Sequence, residues 1–221
     1  MEWKLLAGVP AGEVRELVAI SRRRSFAKGE VVFHRGDPAD SLHLVVKGSF
    51  AVRIMTALGD TVTVGVRGPG DAFGEMALAN PEARRAATVT ALVPAETMAV
   101  YYGEFERLRA RHPAIDQVLI ALLAGEVRRM NELLLDALYL PAERRVLRRL
   151  VELADSFVNA DGVIALTQEE LAQVAGTSRA QVNRILRAQE KRGTIALRRG
   201  ETVILDRDAL QRQSGRPSSA V

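Results

Sequence analysis

The apolar residues of this chain change their spacing once, close to Phe105, and this change limits the possible folds more than any other feature. Before it, short segments rich in β-branched residues alternate with glycine turns, as the strands of a small sheet do. We predict strands at Glu30–His34, Ser41–Val46, Ser49–Ile54, Thr61–Val64, Ala87–Thr90 and Met98–Tyr101. Strands this closely spaced indicate a β-roll or small barrel. Because helices follow, the chain is expected to be α+β.

A long helix is predicted from Pro113 to about Leu138, with Pro141 marking its far end. Apolar residues recur along it at intervals of three and four: Ile120, Leu123, Val127, Met130, Leu134 and Ala137. Such a stripe is typical of a coiled-coil seam and predicts a dimerisation helix in a homodimer. A helix packed on its own β-domain is the alternative, because Leu119, Leu122, Leu133 and Leu135 make other faces apolar as well.

Beyond Pro141 the sequence predicts three helical segments and a β-hairpin. The first helix is Ala142–Ser156, and a turn follows at Asn159–Gly162. Thr167 can cap the next helix through a capping box with Glu170. Two strands are expected in Gly193–Leu205 around a turn at Arg199–Gly200, and the tail from Gln211 is expected to be frayed.

The residues of Gln168–Arg187 fit the packing of a helix-turn-helix unit. Ala172 is small where two helices cross, and Gly176 permits the turn between them. The second helix is expected to begin at about Ser178. The apolar positions that lock the pair are Leu171, Val174, Val182, Ile185 and Leu186. The hairpin that follows predicts a winged variant of the motif.

The outward residues of this unit suit DNA. Between Thr177 and Arg199 seven Lys and Arg residues face a single acid, Glu190. Arginine can bridge two guanine acceptors in the major groove, and Gln or Asn can pair with adenine. We therefore predict DNA contacts from Thr177, Ser178, Arg179, Gln181, Asn183, Arg184, Arg187, Arg198 and Arg199. A helical hairpin with a charged surface, the alternative, does not explain why the basic face follows the turn directly.

Composition narrows the function classes. A length of 221 residues suits two domains, and the absence of cysteine excludes disulfides, cysteine-ligated zinc and iron–sulfur clusters. His34, His43 and His112 lack metal-ligand spacing, so neither a metal nor haem is expected. With no signal-peptide core and no apolar run of about 18 residues, a cytoplasmic protein without membrane contact is expected. No P-loop or dinucleotide-binding motif is present, so an enzyme is not expected.

Two segments of the β-region, Phe73–Leu78 (FGEMAL) and Arg84–Val89 (RRAATV), resemble the phosphate-binding cassette of cyclic-nucleotide-binding β-rolls. Together with the long helix and the helix-turn-helix, they make the chain similar to the CRP/FNR family of bacterial transcription regulators from about Ser25 to Leu205. The resemblance implies a β-roll sensor, double-stranded and jelly-roll-like, over residues 1–112. It further implies a dimerisation helix over 113–140 and a winged helix-turn-helix over 141–221.

A cyclic phosphodiester requires one fixed cation and one acceptor for the neighbouring ribose hydroxyl. By resemblance, Arg85 donates to the phosphate, Glu75 accepts from the 2′-hydroxyl, and Gly74 lets the ligand approach the backbone. Asn131 is expected to hydrogen-bond the base across the dimer interface. The candidate ligand site therefore consists of Gly74, Glu75, Met76, Arg85, Ala86 and Asn131. A structural Glu75–Arg85 ion pair closing an empty roll is the alternative.

The chain departs from the cyclic-AMP-responsive pattern at several positions. Ala86 stands where those members often have serine, and Met130–Asn131 stands where they have Thr-Ser or Thr-Asn. Glu126 lies near a position where some members carry arginine. In the DNA-reading helix Ala180 replaces the usual glutamate, so the operator is expected to differ from a TGTGA-type half-site at one position.

The expected function is that of a homodimeric transcription regulator that binds pseudo-palindromic double-stranded DNA. A cyclic nucleotide such as cyclic AMP is the expected effector, and RNA polymerase is an expected partner. One alternative is a ligand-independent regulator controlled by its own abundance. The other is a cyclic-nucleotide signalling subunit whose C-terminal helices dock on a protein.

Overall fold

The computed structural model describes residues 10–55, 59, 61–80, 82–156 and 162–215. The chain divides into two compact units, one of residues 1–61 and 67–131, the other of residues 62–66 and 132–221. A single long helix continues from the first unit into the second.

The N-terminal part of the chain is built mainly of short strands. Its elements are α1 Ala11–Ala19, β1 Arg22–Phe26, β2 Val31–Phe33, β3 Ser41–Lys47, β4 Phe50–Met55, β5 Thr61–Arg67, β6 Ala72–Phe73, α2 Met76–Ala79, β7 Thr88–Ala91, β8 Ala95–Tyr101 and α3 Tyr102–Arg111. Within the described residues they form two sheets, with strand orders β1-β8-β3-β6 and β2-β7-β4-β5. The α+β class with an N-terminal β-roll is confirmed.

Alternation along β3 divides the core of this part in two, because successive side chains of a strand point to opposite faces. Leu42 and Leu44 join a cluster that includes Phe105 of α3 and Leu17 of α1. Val45 joins a second cluster, which is lined by the aromatic rings of Phe26, Phe50 and Phe73. The cassette strand β6 thus ends with one side chain, Phe73, buried in the aromatic cluster.

The long helix, α4, spans Asp116–Tyr139 and follows a 3-10 turn at Pro113–Ile115, close to its predicted start. Its two faces have different surroundings. Val118 and Leu122 are buried in the leucine-rich cluster. Ile120, Val127, Met130 and Leu134 of the predicted seam are each more than half exposed, and Leu123 is half-buried. One apolar face therefore packs on the chain's own β-domain, and the predicted stripe is left largely uncovered.

The C-terminal part contains the predicted helix-turn-helix and wing. Its elements are α5 Ala142–Ser156, β9 Val163–Ile164, α6 Gln168–Ala175, α7 Arg179–Lys191, β10 Ile195–Arg198, β11 Glu201–Ile204 and α8 Arg207–Ser214. Strands β10, β11 and β9 form a small antiparallel sheet in that order. Residues 159–161 of the predicted turn lie outside the described residues.

The prediction of a frayed tail from Gln211 is wrong for the residues up to Ser214. Asp206 caps helix α8 by accepting a hydrogen bond from the backbone N–H of Ala209 at 2.9 Å. Leu210 is fully buried within this unit. The sequence of α8 is mostly polar, so the apolar pattern gave no signal for a helix that is held in place by the burial of Leu210.

Candidate ligand pocket and nucleic-acid interface

The turn after β6 brings the cassette backbone against Arg85. Gly74 has a φ of +84°, a left-handed conformation that favours glycine. A Cβ at this position would lie 2.7 Å from Arg85 Nη1 and 2.8 Å from the carbonyl oxygen of Ser41. Only glycine leaves room for the guanidinium here, so the sequence-predicted pair Gly74 and Arg85 is in direct contact.

The Arg85 side chain is 3% exposed and is held from several sides. Nη1 donates to the Ser41 carbonyl oxygen at 2.7 Å, and Nη2 donates to Asp40 Oδ1 at 2.9 Å and to Ser41 Oγ at 3.0 Å. The guanidinium carbon lies 3.9 Å from the centre of the Phe33 ring. Burial lowers the pKa of Arg85, and the carboxylate of Asp40 acts in the opposite direction. The ion-pair partner of Arg85 is Asp40, so the alternative of a Glu75–Arg85 pair is wrong.

One donor of this cluster is buried without a partner. Arg85 Nε has no hydrogen-bond acceptor among the described residues, although buried polar groups are nearly always paired. The same guanidinium lies against Gly74 through Nη1, and a buried cationic group with an N–H still to be paired is what an anion site requires. The residues present therefore fit a cyclic phosphodiester. Arg85 and the Gly74 backbone would hold its phosphate, and Glu75, which is half-buried on the same turn, would accept from a ribose hydroxyl.

The other predicted site residues are more open. Met76 and Ala86, one in each cassette segment, are exposed, and Asn131 is exposed on α4. Ala86 stands where cyclic-AMP-responsive members often have serine, and its methyl group offers the phosphate no hydrogen bond. Ser41, which binds Arg85 through both its carbonyl and its hydroxyl group, and Asp40 were not predicted. They lie 44 and 45 residues from Arg85 in the sequence, and no local pattern links them to it.

An ion cluster joins the cassette strand to α4, and sequence reasoning found only one of its members. Arg67 on β5 donates through Nε to the carbonyl oxygen of Ala72 at 3.3 Å and through Nη2 to Glu126 at 3.0 Å. Arg129 donates to the same carboxylate at 3.0 Å. Burial raises the pKa of Glu126, but Arg129 and Arg67 outweigh it and hold that pKa below its usual value. Glu126 therefore remains charged and ties α4 to the strand that leads into the cassette.

The aromatic cluster contains one buried histidine. His43 lies 3.0 Å from Thr97 Oγ1 and 3.3 Å from Ser41 Oγ, and its ring stacks on Phe73 with centres 5.1 Å apart. Burial, with a smaller effect from the charge of Arg85, lowers the pKa of His43 to about 3. The residue is a neutral packing group.

The helix-turn-helix is built from capped helices around a tight turn. Thr167 and Glu170 form the predicted capping box at the start of α6, and Gly176 ends that helix with a φ of +60°. Ser178 caps α7 by accepting from the backbone N–H of Gln181 at 3.2 Å. The buried apolar side chains of the two helices are Leu171, Ala172, Ala175, Val182, Ile185 and Leu186, whereas Val174 of the predicted set is half-buried.

Burial of these residues leaves one face of α7 in solvent. Arg179, Asn183 and Arg184 are exposed on it, as is Arg187, which pairs with Glu190 at 2.8 Å. Of the other predicted contacts, Ser178 is exposed, and half-buried Thr177 donates from its hydroxyl to Gln181 Oε1 at 2.7 Å. Arg198 and Arg199 are exposed at the β10–β11 turn. A groove of about 500 Å³ lies between this turn, Arg179 and the start of α6.

Arg145 of α5 fixes the turn of the motif and was not predicted. Its Nε donates to the carbonyl oxygen of Ala175 at 3.0 Å and its Nη2 to that of Gly176 at 2.9 Å. Its Nη1 donates to the carbonyl oxygen of Leu140, just after α4, at 2.8 Å. One guanidinium thus satisfies carbonyl groups at two helix ends, which otherwise lack intrahelical partners.

Comparisons with known proteins agree with this arrangement. Residues 23–112 match the cyclic nucleotide-binding domain family, and residues 144–213 match the Crp-like helix-turn-helix domain family. The chain is 31% identical to the cyclic AMP receptor protein of Thermus thermophilus, over 94% of each chain. The chain belongs to the CRP/FNR family. It is also 28% identical to the CRP-like cAMP-activated global transcriptional regulator of Mycobacterium tuberculosis, over 95% of this chain and 96% of that one.

Solved structures support the fold. The structure of FixK2 from Bradyrhizobium japonicum superposes with a TM-score of 0.73 at 21% identity, covering 87% of this chain and 96% of that one. As a CRP/FNR regulator with a cyclic nucleotide-binding domain, the protein is a DNA-binding transcription regulator and not an enzyme. Within the described residues, no helix combines the length and apolarity needed to cross a membrane, and no cluster of acidic or histidine side chains suits a metal ion.

Proposed function

We propose that the protein is a homodimeric regulator whose binding to pseudo-palindromic DNA is controlled by a cyclic nucleotide, with cyclic AMP as the first candidate. The observation that carries the ligand part is the buried, unpartnered Nε of Arg85, whose guanidinium lies against Gly74 through Nη1. The relatives named above are described as a cyclic AMP receptor and a cAMP-activated regulator. In the proposed complex Arg85 and Gly74 bind the phosphate and Glu75 accepts from the 2′-hydroxyl.

The proposal of a homodimer rests on the exposed stripe of α4. Val127, Met130 and Leu134 are apolar, more than half exposed and spaced for a helical seam. Contiguous exposed apolar surface of this kind marks an interaction site, and a second copy of the same helix fits it. Asn131 lies beside Met130 and would reach a base bound at the interface.

The DNA interface is proposed to consist of the nine predicted residues, with Arg179, Asn183 and Arg184 facing base edges. Two copies of α7 related by a two-fold axis fit successive major grooves about 34–36 Å apart, so the operator is expected to be a pseudo-palindrome. Arg198 and Arg199 suit backbone phosphates, which position a protein without reading sequence. A cytoplasmic location, activation through RNA polymerase, and the division at residues 112 and 140 belong to the same proposal.

A ligand that binds the dimer form competent for DNA more tightly than the other form shifts the population toward it. Glu126 and Asn131 lie on α4 close to the exposed stripe, so a ligand contact there can change how two α4 helices pack. A ligand-independent regulator is the second candidate function. It is favoured by the engagement of Arg85 with Asp40 and Ser41, and by Met130, which offers a base no hydrogen bond.

The test is selection of bound duplexes from a random DNA pool by the full-length protein, with and without cyclic AMP. A pseudo-palindrome enriched only with the nucleotide would support the proposal. The same palindrome in both arms would favour the ligand-independent regulator. Without enrichment in either arm, cyclic AMP fails as the effector, and the result favours either an untested effector or a signalling subunit that docks on a protein.

The matched variant is Arg85→Ala. Under the proposal it abolishes the nucleotide dependence of the selection and leaves the dimer intact in sedimentation. A response to cyclic AMP that survives this change would refute the assignment of the cassette.

A further inference from the structure

In the structure, the guanidinium of Arg85 has no free pair of parallel N–H groups with which to bind a phosphate in a bidentate manner. Bidentate capture of an anion uses two parallel N–H groups, and each such pair on a guanidinium includes Nη2. Nη2 is engaged twice, by Asp40 Oδ1 at 2.9 Å and by Ser41 Oγ at 3.0 Å. Two N–H groups remain, one on the buried, unpartnered Nε and the second on Nη1, and these two do not form a parallel pair. A phosphate that binds side-on must therefore displace one of the present acceptors.

The acceptor that can leave is Asp40. Its side chain is 66% exposed, so the carboxylate can rotate away from Arg85 and remain hydrated by solvent. Arg85, by contrast, is 3% exposed and enclosed by protein. A carboxylate also presents what a phosphodiester presents, one negative charge spread over oxygens that accept from a guanidinium. The hydroxyl of Ser41 donates to Asp40 Oδ1 at 2.8 Å and helps to keep the carboxylate in place.

Arg85 does not need Asp40 in order to be positioned. Its backbone N–H donates to the carbonyl oxygen of Asp37 at 2.9 Å, and its own carbonyl oxygen accepts from Gly36 N–H at 2.9 Å. The Ser41 carbonyl oxygen binds Nη1, and the ring of Phe33 lies under the guanidinium plane. These contacts fix the side chain from its backbone to its tip. The carboxylate of Asp40 therefore occupies the anion-binding position of Arg85, and it is not needed to hold the side chain in place.

We infer that Asp40 is an internal competitor for the ligand, whose carboxylate occupies Arg85 in the resting protein and sets the cyclic nucleotide concentration needed for binding. The inference rests on the proposed function of the cassette. It names a residue that determines ligand affinity although it belongs neither to the cassette segments nor to α4. Removing the carboxylate should tighten binding, whereas removing a positioning residue would weaken it.

The experiment measures binding of labelled cyclic AMP and cyclic GMP to the full-length protein by equilibrium dialysis. Asp40→Asn removes the charge, and Asp40→Ala removes the acceptor as well. Both variants should bind the nucleotide roughly 5- to 30-fold more tightly than the wild type, the range for one charge-assisted hydrogen bond discounted for an exposed partner. The matched control is Asp37→Asn. It removes the same charge from the same turn and keeps an acceptor for the His34 backbone N–H.

The outcomes separate the inference from the proposed function. Equal or weaker binding by the Asp40 variants, with measurable binding by the wild type, would overturn the inference and leave the proposed function standing. Equal tightening by Asp37→Asn would also overturn it, because a general change in charge would then suffice. Detectable binding by the Asp40 variants, with none by the wild type, would support both the inference and the proposed function. If neither nucleotide binds wild type or variants that retain a native circular dichroism spectrum, both fail.

Discussion

Replacing His43 with phenylalanine should remove much of the acid sensitivity of the β-roll. The rings of Phe26, Phe33 and Phe73 pack around this histidine, and its two ring nitrogens hydrogen-bond with the hydroxyl groups of Ser41 and Thr97. Burial, and then the charges of Arg85 and Arg24, lower its pKa to about 3, while Asp40 acts in the opposite direction. In the unfolded chain a histidine titrates near pH 6.5.

The sign follows from proton counts. Between about pH 6.5 and pH 3 the unfolded chain binds a proton that the folded chain does not, so stability falls as the pH falls through this window. Relative to pH 8, the free energy of unfolding at pH 5 should be lower by about 2 kcal/mol from this residue alone. A loss of that size is a large share of a typical domain's stability.

Urea unfolding at pH 8, 7, 6 and 5 measures the effect. His43→Phe loses the hydrogen bonds to Ser41 and Thr97 at every pH, at a cost of about 1–3 kcal/mol, but its stability should decline by about 2 kcal/mol less between pH 8 and pH 5. The control is Phe50→Leu, which disturbs the same cluster at a ring that packs on Phe26 and Phe73 and leaves the rings around His43 in place, so its curve should run parallel to the wild type. Parallel curves for His43→Phe would refute the reasoning.

Three further predictions concern the seam and the DNA-binding unit. Arg145→Met should lower the free energy of unfolding by about 1.5–3 kcal/mol, because it leaves the carbonyl groups of Ala175 and Gly176 without their donor; chemical denaturation beside Arg144→Met tests this. Arg179→Ala should weaken specific DNA binding by about 1–3 kcal/mol and relax the preference at one base pair, and an unchanged preference in a mobility-shift series would count against the assignment. Under the proposed dimer, Leu134→Lys puts a charge on the apolar stripe and should sediment as a monomer at concentrations where the wild type sediments as a dimer; a wild type that is monomeric throughout would refute the dimer itself.

Local pattern was sufficient where a segment carries its own signal. The alternation of Ser41–Val46 and the capping residues Thr167 and Ser178 predicted β3, α6 and α7, because period and caps act over a few residues. Strand β1 was missed for a physical reason. Its Arg22, Arg23 and Arg24 are exposed on an edge strand and bind partners on β8 and α3, so it lacks the apolar alternation of a half-buried strand.

The candidate site was predictable only in its short-range parts. Gly74, Glu75 and Arg85 stand in segments whose order resembles a known cassette, and the structure brings Gly74 and Arg85 into contact. Asp40 and Arg67 were not predictable, because their roles depend on which residues the fold brings opposite them. The partner of a buried charge is set by the tertiary structure, so it cannot be predicted from the spacing of residues in the sequence.

The contacts of Arg67 link the cassette to the proposed seam. Arg67 holds the carbonyl oxygen of Ala72, two residues before Gly74, and the carboxylate of Glu126, one helical turn before Met130. Because Arg67 is buried, its pair with Glu126 tolerates little displacement without leaving a charge unpaired. Under the proposed function, a shift of the cassette turn on ligand binding would therefore be transmitted to α4 through these contacts. Glu126 lies near a position where some family members carry arginine; in this chain the arginine of the pair comes from β5 and the carboxylate from α4.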